Sequence, residues 1–560
     1  MTALLFTLTL LLPALGQGNS QPQAGGVYRI RGVVVDAVTN VPVARAQVSI
    51  SLNNEQTNTV ARDDGRFVFE GLAAGKYALS ATAPGYLYEA YNQHGGFSVA
   101  IVTGKGQDTE HLLFRLHPQA VIYGRVTDEH GEAVRGAQVA LFACDLTRGN
   151  HAIFSRAQTQ TNDLGEYRFA HLPPDKYYLA VQARPWYAQS QLSSERHNAG
   201  VVGSSARSVF LPGSGEDLDP ALDVVYPVTF YPGVTDQSSS TEVVLTAGEK
   251  EEANITMQAV PAAHLRLTVP PGDAGTSFGV GASQRVFGAF SFGLDVVLGQ
   301  VSPGEYEVAG LPPGELTLVV TTNKANEWTS RSIEVDSRSE GTINASELPA
   351  TAKVSGRIFL AGASAEARGG SVSLVSTTAT TLPGTTTQLH EDWTFSFPDI
   401  QAGTYRIQVY VHPGVYYVQK IVAKEAKTSG REITIAGGND VDLTITLGQG
   451  EGQVTGVVQS DGKPAAGVMV LLVPKSGQEM EADSRLDESD SDGTFSLGEI
   501  LPGDYVLLAI KDGWDLEWAK PGVLKPYLSA GQNLLIGANQ SIKVTVSAQG
   551  KTVTLETKAR

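Results

Sequence analysis

The chain has 560 residues and a formal net charge of −17, with 60 glycines, 27 prolines and a single cysteine. This composition is typical of turn-dense β structure and argues against a helical protein. The acidic charge disfavours binding to nucleic acid or to anionic membrane surfaces, since both require basic patches. Because Cys144 stands alone, no intrachain disulfide can form, and we expect its side chain to be a small buried hydrophobic group.

The first segment of the chain predicts a secretory signal peptide over residues 1–16. Leu4–Leu12 is apolar and Ala14–Gly16 supplies the small residues that signal peptidase prefers, while a basic n-region is missing. A polar lead, 17–26, would then precede the first domain. The apolar run is too short to span a bilayer and no other segment is long enough, so we expect no membrane span. The expected location is secreted, periplasmic or associated with the cell envelope.

One sequence pattern occurs five times along the chain. Two aromatic or apolar residues at alternate positions are followed by Leu or Ile, then by Gly-x-Tyr and alternating apolar residues. Because side chains alternate faces along a strand, we interpret each copy as a β-hairpin. Pro313 and Gly314 suit a type II turn in the third copy, whereas Asp175 replaces the glycine in the second and predicts a distorted turn. The copies are centred on Tyr77, Tyr177, Leu316, Tyr405 and Tyr505.

Shorter shared blocks flank each copy of this pattern. Gly-x-Val-x-Asp precedes it, as in Gly32–Asp36 and Gly124–Asp128, and a short apolar strand follows it; the third copy lacks the first block. Short strands at this spacing predict one β-sandwich per copy. We therefore expect an all-β tandem array of about five domains. The predicted domains are 27–120, 121–263 with a loop insertion at about 184–236, 264–352, 353–450 and 451–560.

These blocks together resemble the carboxypeptidase regulatory-like domain. The resemblance is clear in copies one, two and five, fair in copy four, and limited to the aromatic pattern in copy three. It implies a non-catalytic, transthyretin-like or immunoglobulin-like sandwich, grouped with carbohydrate-binding-like folds and similar to the B-type repeats of collagen adhesins. Such a fold does not define a ligand. The adhesin repeats can carry a Lys–Asn isopeptide bond, but strands 28–35 and 121–126 contain no lysine, so we expect none there.

The sequence contains no motif for catalysis. It lacks His-Glu-x-x-His, Gly-x-Ser-x-Gly and a glycine-rich phosphate loop, so we predict neither an enzyme nor a cofactor. Glu488–Gly493 together with Glu499 has the spacing of an EF-hand loop. A calcium site and a plain acidic turn both fit these residues, and the glutamate at the first position and the β context favour the turn.

Aromatic residues in loops form the candidate binding surface. We predict Trp186, Tyr187, Tyr226 and Tyr231 of the insertion as ligand-binding residues, because aromatic faces stack on sugar rings while nearby polar groups bind hydroxyls. The same rings could instead anchor the loop to the edge of the sandwich. Further aromatic residues stand at Tyr86, Tyr88 and Tyr91 in the first domain, and at Trp514 and Trp518 in the fifth.

The sequence therefore predicts a non-catalytic secreted or cell-envelope binding or adhesion protein whose partner is an extracellular glycan or protein. Two alternatives are a structural spacer rod and a non-catalytic accessory subunit of a carboxypeptidase-type enzyme. Short junctions such as residues 116–121 favour a semi-rigid rod. Ligand identity, oligomeric state and surface attachment are left open.

Overall fold

A computed structural model describes residues 26–188, 209–212, 221–269, 277–288, 290–324, 327–339, 342–344, 350–361, 369–377, 385–477 and 480–551. The predicted signal peptide, most of the polar lead and part of the insertion (189–208 and 213–220) lie outside the described residues. Within the described ranges, no helix has the length and apolar character needed to cross a bilayer.

All five sequence copies fold as two-layer β-sandwiches, which confirms the predicted all-β tandem array. In four domains the first strand pairs in parallel with the last strand of the same domain, and in the second domain the first strand pairs in parallel with Lys250–Glu252 and Ile255–Thr256 near its end. On its other side the first strand pairs antiparallel with the strand that carries the two alternating aromatic or apolar residues. The strand that contains Gly-x-Tyr lies inside the second sheet.

The strands of the first domain are β1 Tyr28–Asp36, β2 Gln47–Leu52, β3 Glu55–Val60, β4 Arg66–Leu72, β5 Gly75–Thr82, β6 Glu89–Ala90, β7 Ile101–Thr103 and β8 Leu112–Leu116. Those of the second domain are β9 Ala120–Thr127, β10 Gln138–Asp145, β11 Ala152–Gln160, β12 Glu166–Leu172, β13 Asp175–Gln182, β14 Val209–Pro212, β15 Val224–Val225, β16 Thr229–Phe230, β17 Val243–Leu245, β18 Lys250–Glu252, β19 Ile255–Thr256 and β20 Val260–Pro261. Two 3₁₀ turns, Leu146–Arg148 and Gln237–Ser239, interrupt them.

The third domain contains β21 Ala263–Thr268, β22 Ser277–Val286, β23 Phe290–Leu294, β24 Val297–Ser302, β25 Glu305–Leu311, β26 Glu315–Lys324, β27 Glu327–Asp336 and β28 Thr342–Asn344. The fourth contains β29 Ala352–Leu360, β30 Gly369–Ser376, β31 Thr385–Gln388, β32 Thr394–Ile400, β33 Gly403–His412, β34 Tyr416–Lys424, β35 Ala426–Ser429, β36 Glu432–Ile435 and β37 Val441–Gln449.

The fifth domain contains β38 Gly452–Ser460, β39 Lys463–Pro464, β40 Met469–Pro474, β41 Arg485–Glu488, β42 Thr494–Ile500, β43 Gly503–Ile510, β44 Gln532–Ile536 and β45 Ser541–Ser547. Its two short helices are α1 Met480–Asp483 and α2 Lys525–Leu528.

The repeated aromatic pattern is an arch between the two sheets, and the predicted hairpin is wrong. In the first domain β4 pairs with β1, whereas β5 pairs with β2 of the opposite sheet. Phe67 and Tyr77 therefore face each other across one core instead of lying side by side. The same crossing occurs in the other four domains. Alternation of side chains identifies the buried face of a strand but does not identify its partner strand.

A side-chain hydroxyl closes every arch. In the first domain Tyr77 Oη donates to the Ala73 carbonyl, four residues earlier, at 3.2 Å. In the third domain Leu316 replaces the tyrosine, and Ser337 Oγ donates to the corresponding carbonyl of Pro312 at 2.6 Å. The remaining domains use the bonds Tyr177 to Pro173 (2.8 Å), Tyr405 to Gln401 (2.9 Å) and Tyr505 to Leu501 (2.8 Å).

The glycine of Gly-x-Tyr is not required by a left-handed backbone in the first, fourth and fifth domains. Gly75, Gly403 and Gly503 do not have a positive φ, and a Cβ at Gly403 or Gly503 would make an ordinary contact, 3.4 Å from the ring of the tyrosine two residues later. Only Gly314, with φ 134°, has the positive φ that the sequence-based turn interpretation required. Asp175 of the second domain does not have a positive φ either, so it is accommodated there without a glycine.

The second and third domains share structure. Strand β14, from the insertion of the second domain, pairs in parallel with β24 of the third. Phe142 packs against Phe287 with ring centroids 5.0 Å apart, inside an apolar cluster that joins both domains. This junction is therefore a continuous core rather than a linker.

The fifth domain returns to contact the first, so the five domains do not form the predicted semi-rigid rod. Lys76 Nζ of the first domain lies 2.5 Å from Asp490 Oδ2 of the fifth. The third and fourth domains meet through Ser332 and Gln401 (2.7 Å), and an ion pair between Arg431 and Asp483 joins the fourth to the fifth. Short junctions limit flexibility between neighbours, but they do not fix the direction in which successive domains point.

We expect Gly456→Ala to destabilise the fifth domain. A Cβ at this residue would lie 2.4 Å from the Val544 carbonyl of the parallel last strand and 2.7 Å from the Phe495 ring. Overpacking of this kind typically costs about 1–3 kcal/mol. Hydrogen–deuterium exchange of peptides from β38 and β45 measures the decrease in the free energy of unfolding of this domain. The control Gly498→Ala, where a Cβ meets no atom within 4 Å, should change the same quantity by less than about 0.5 kcal/mol; equal effects would contradict the close-contact argument.

Candidate binding cleft between the first and second domains

A cleft of about 1590 Å³ lies between the first and second domains. One wall is the loop that follows β5, from Thr82 to Glu89, together with Arg45 and Gln47 at the start of β2. The opposite wall is the end of β10, Ala143–Asp145, and part of β11, Phe154–Arg156. The cleft therefore depends on how the two sandwiches are placed, and neither domain forms it alone.

Two aromatic rings face this space from opposite walls. Tyr88 is 71% exposed and is one of the most exposed large side chains among the described residues. Phe154 is half-buried, and the Arg148 guanidinium carbon lies 4.9 Å from its ring centroid, a cation–π distance. An exposed ring and a ring held by a cation give the cleft two apolar contact points.

A histidine–glutamate ion pair holds the first-domain wall of the cleft beside the linker that joins the first two domains. His117 Nδ1 lies 2.9 Å from Glu89 Oε1, and the His117 backbone N–H donates to Glu89 Oε2 at 2.8 Å. The hydrogen bond to Glu89 raises the pKa of His117 above its ordinary value, against the opposing effect of burial. Tyr86 Oη donates to Asp36 Oδ2 at 3.0 Å, which fixes the same loop to β1. The loop that carries Tyr88 is thus anchored on both sides.

Cys144 was predicted to be a small buried hydrophobic group, but it lines the cleft and is only half-buried. Burial, and then the negative charges of Asp175 and Asp145, raise the pKa of its thiol. A raised pKa keeps the group protonated near neutral pH, and the thiolate is the nucleophilic form. The cleft therefore contains a thiol in its less reactive form.

The four residues predicted from the insertion do not form an open binding surface together. Tyr226 is 3% exposed within the core of the second domain, and Tyr231 packs against the same core. Tyr187 donates to Glu129 Oε1 at 2.6 Å, whereas Trp186 is 70% exposed. The aromatic rings largely anchor the chain, which was the alternative stated for them, and Trp186 alone presents most of its surface.

The other aromatic and acidic candidates lie at contacts between domains. Trp514 stacks on His94 of the first domain, with centroids 4.9 Å apart and rings 3° from parallel. Trp518 is buried against Gly149 of the second domain. In the loop proposed for calcium, Glu488 and Asp490 pair with His94 and Lys76. In the described part of the chain, no three His, Cys, Asp or Glu side chains are grouped to hold a metal ion.

Sequence reasoning found one wall of the cleft and missed the other. The run of aromatic residues from Tyr86 to Tyr91 marks the loop of the first domain. Within that run Tyr91 packs into the core against Phe114, with centroids 5.8 Å apart, and only Tyr88 points outward. Phe154 carries no comparable signal, because a single aromatic residue in an edge strand is common.

Two consecutive segments of the chain are similar to carboxypeptidase regulatory-like domains. Residues 29–110 and 121–202 match the family model described as carboxypeptidase regulatory-like domain. Residues 452–524 match a second model, described as the BOS complex subunit NOMO1-like, second beta sandwich domain. The resemblance inferred from the sequence is thus confirmed for the first two copies, and the fifth is similar to a different sandwich family.

Solved structures with similar features are distant from this chain. They include a minor pilin of Streptococcus agalactiae (14% identity, 38% of this chain and 100% of that chain, TM-score 0.19). Two B repeat units of the collagen binding protein of Staphylococcus aureus also match (11% identity, 71% and 94%, TM-score 0.14). A third match is the TIE protein of Bacillus anthracis (9% identity, 94% and 76%, TM-score 0.16). At such TM-scores these likenesses carry no argument about function. No curated protein matches the chain.

We expect Glu89→Gln to lower the pKa of His117. Because the folded-state pKa is raised above the ordinary 6.5, the stabilisation from this pair is fully present below pH 6.5 and is lost as pH rises through the folded pKa. An NMR titration of the histidine Cε1–H signals, assigned with His117→Gln, measures the change. The control Glu55→Gln, on exposed strand β3, should leave the His117 titration unchanged; a shift in both variants would contradict the pair.

Proposed function

We propose that this chain is a non-catalytic, secreted or cell-envelope protein that binds a neutral extracellular glycan in the cleft between its first and second domains. The observation that carries the proposal is the pairing of the exposed Tyr88 ring with Phe154 across a cleft bordered by polar side chains. Sugar rings present apolar C–H faces and polar hydroxyls, so they need both kinds of surface.

The size of the cleft supports an extended ligand. Pockets for small molecules usually measure about 300–1,000 Å³, whereas this cleft measures about 1590 Å³. Several sugar units of a polysaccharide would fit, and a single monosaccharide would touch only part of the lining.

The charges of the lining support a neutral ligand. Basic and acidic side chains are interspersed, so neither a polyanion nor a polycation would meet a surface of one sign. Three side-chain amides, which can donate and accept hydrogen bonds at once, stand among them. The basic and acidic lining residues are Arg45, Arg156, His117, His171, Glu89, Asp145 and Asp175, and the amides are Gln47, Gln93 and Gln119.

The matched families support a binding role in place of catalysis. The model that covers the cleft-forming domains is named for a regulatory domain and not for a peptidase domain. Within the described residues, the cleft combines a paired histidine with a protonated thiol, and these do not form a nucleophile and base in contact.

We expect Tyr88→Ala to weaken glycan binding about tenfold, which corresponds to roughly 1.4 kcal/mol, because the variant removes the exposed stacking surface. The mature protein would first be screened against xylan, mannan, β-glucan and peptidoglycan fragments. Affinity electrophoresis with the best soluble polysaccharide then measures the change. Tyr410→Ala is the matched control, since Tyr410 is 55% exposed on the fourth domain, away from the cleft.

Equal binding by wild type and Tyr88→Ala would exclude the cleft as the glycan site. Failure of the wild type to bind any polysaccharide in the panel would contradict the glycan proposal as a whole.

We expect Trp186→Ala to leave this binding unchanged, because Trp186 does not line the cleft. The same affinity electrophoresis compares it with Tyr88→Ala. Loss of binding in Trp186→Ala alone would move the ligand to the insertion of the second domain, as the sequence first suggested. Tyr231→Ala is a poor probe of binding, since its ring packs on the core.

A further inference from the structure

The acidic loop of the fifth domain docks on an edge strand of the first domain. The Ser491 backbone N–H donates to the Ala100 carbonyl at 3.0 Å. In return Asp490 Oδ1 accepts from the Ala100 N–H at 3.0 Å, and Ser491 Oγ accepts from the Val102 N–H at 2.8 Å. Backbone groups next to β7 are therefore satisfied by residues almost 400 positions away in the sequence.

Charged and aromatic contacts reinforce this docking. Lys76 Nζ lies 2.5 Å from Asp490 Oδ2, and His94 Nδ1 lies 2.9 Å from Glu488 Oε1. Glu488 is 1% exposed, and burial raises the pKa of its carboxyl while His94 opposes that effect. Removing one partner of a buried pair is costly because the other group is left desolvated. Trp514 stacks on one face of the His94 ring, whose side chain is still 41% exposed, so only the Glu488 end of the pair is buried.

The fifth domain also holds the second domain. The Ala519 backbone N–H donates to the Gly149 carbonyl at 2.7 Å, and Asn150 Nδ2 donates to Glu481 Oε2 at 3.0 Å. Trp518 packs so closely on Gly149 that a Cβ there would lie 2.3 Å from the indole. Gly149 ends the turn that starts at Asp145, on the cleft wall.

The first and second domains meet directly at this same end of the cleft. A Cβ on Gly95 would lie 2.4 Å from the Thr147 methyl group, and both residues line the cleft. Three domains thus converge beside the cleft, and the fifth is bonded to both of the other two.

The linker between the first two domains also borders the cleft. The Leu87 N–H donates to the His117 carbonyl, and the Gln119 N–H donates to the Gly85 carbonyl, each at 3.0 Å. His117 and Gln119 both line the cleft. The two walls are thus joined by the chain itself at the linker and by the fifth domain at the three-domain junction.

We propose that the fifth domain is a clasp that holds the walls of the cleft together, and that opening of the clasp at Asp490 widens the cleft. The effect on ligand binding rests on the glycan function proposed above; the mechanical role of the clasp does not. Since the two walls belong to separate sandwiches with separate cores, the contacts of the fifth domain restrain their separation.

The native thiol reports on the clasp without any ligand. Cys144 is the only cysteine, lines the cleft and lies near Glu517 and Lys520 of the fifth domain. In the full-length protein we expect Lys76→Glu, which places two carboxylates together at Asp490, to raise the reaction rate of Cys144 with a neutral maleimide at least fivefold. Small-angle X-ray scattering of the same variant should show a larger radius of gyration.

The charge-swapped double variant Lys76→Glu with Asp490→Lys should return the rate towards the wild-type value. His94→Ala, which leaves Glu488 buried without its partner and removes the ring stacked on Trp514, should also raise it. Arg357→Glu is the control, because Arg357 pairs with Asp392 inside the fourth domain at 3.5 Å. An unchanged Cys144 rate in both Lys76→Glu and His94→Ala would overturn the clasp.

Measuring polysaccharide binding by the same variants separates the clasp proposal from the glycan-binding proposal. We expect Lys76→Glu to bind the best polysaccharide of the panel at least threefold more weakly than wild type. A faster Cys144 reaction with unchanged binding would overturn control of the site by the clasp while the glycan site stands. Absence of binding by the wild type would contradict the glycan function, and the thiol rate would still decide whether the clasp holds the cleft.

Discussion

The arch that carries the chain from one sheet to the other is the constraint on which each domain depends. Residues before the crossing bury their rings from one sheet, and residues after it bury theirs from the opposite sheet, as Phe67 and Tyr77 do. At each crossing a backbone carbonyl accepts a hydrogen bond from a partly or fully buried side-chain hydroxyl, and a polar group withdrawn from water is destabilising when it is left unsatisfied. A hydroxyl meets that need in every copy. In the third domain, which lacks the tyrosine, Ser337 donates to this carbonyl, as Thr103 does beside Tyr77 in the first domain.

Because the arch fixes the core, the loops and edges are free to differ between copies. The same turn before the aromatic strand is exposed in the first domain, where it contains Asp63 and Asp64. In the fifth domain the corresponding turn contains buried acidic residues, and these residues contact the first domain. A repeated module has in this way produced different surfaces without changes to its interior.

The sequence predicted the parts of the structure that local chemistry determines. The alternation of apolar residues along each strand defines its buried face. The partner of a strand depends on contacts between distant residues, so hairpin and arch could not be distinguished. The same limit explains the acidic loop, whose EF-hand-like spacing gives no indication that its partner Lys76 lies 414 residues away. It also explains the cleft, because only the meeting of two domains creates it.

The strand that the second domain lends to the third affects any attempt to dissect the protein. A fragment that begins near Ala263 would lack Val209–Pro212 and leave β24 with an unpaired side. Free sheet edges of this kind promote aggregation between copies. The smallest soluble unit that includes the third sandwich should therefore begin at the second, and poor behaviour of a shorter fragment would reflect a missing neighbour rather than an unstable fold.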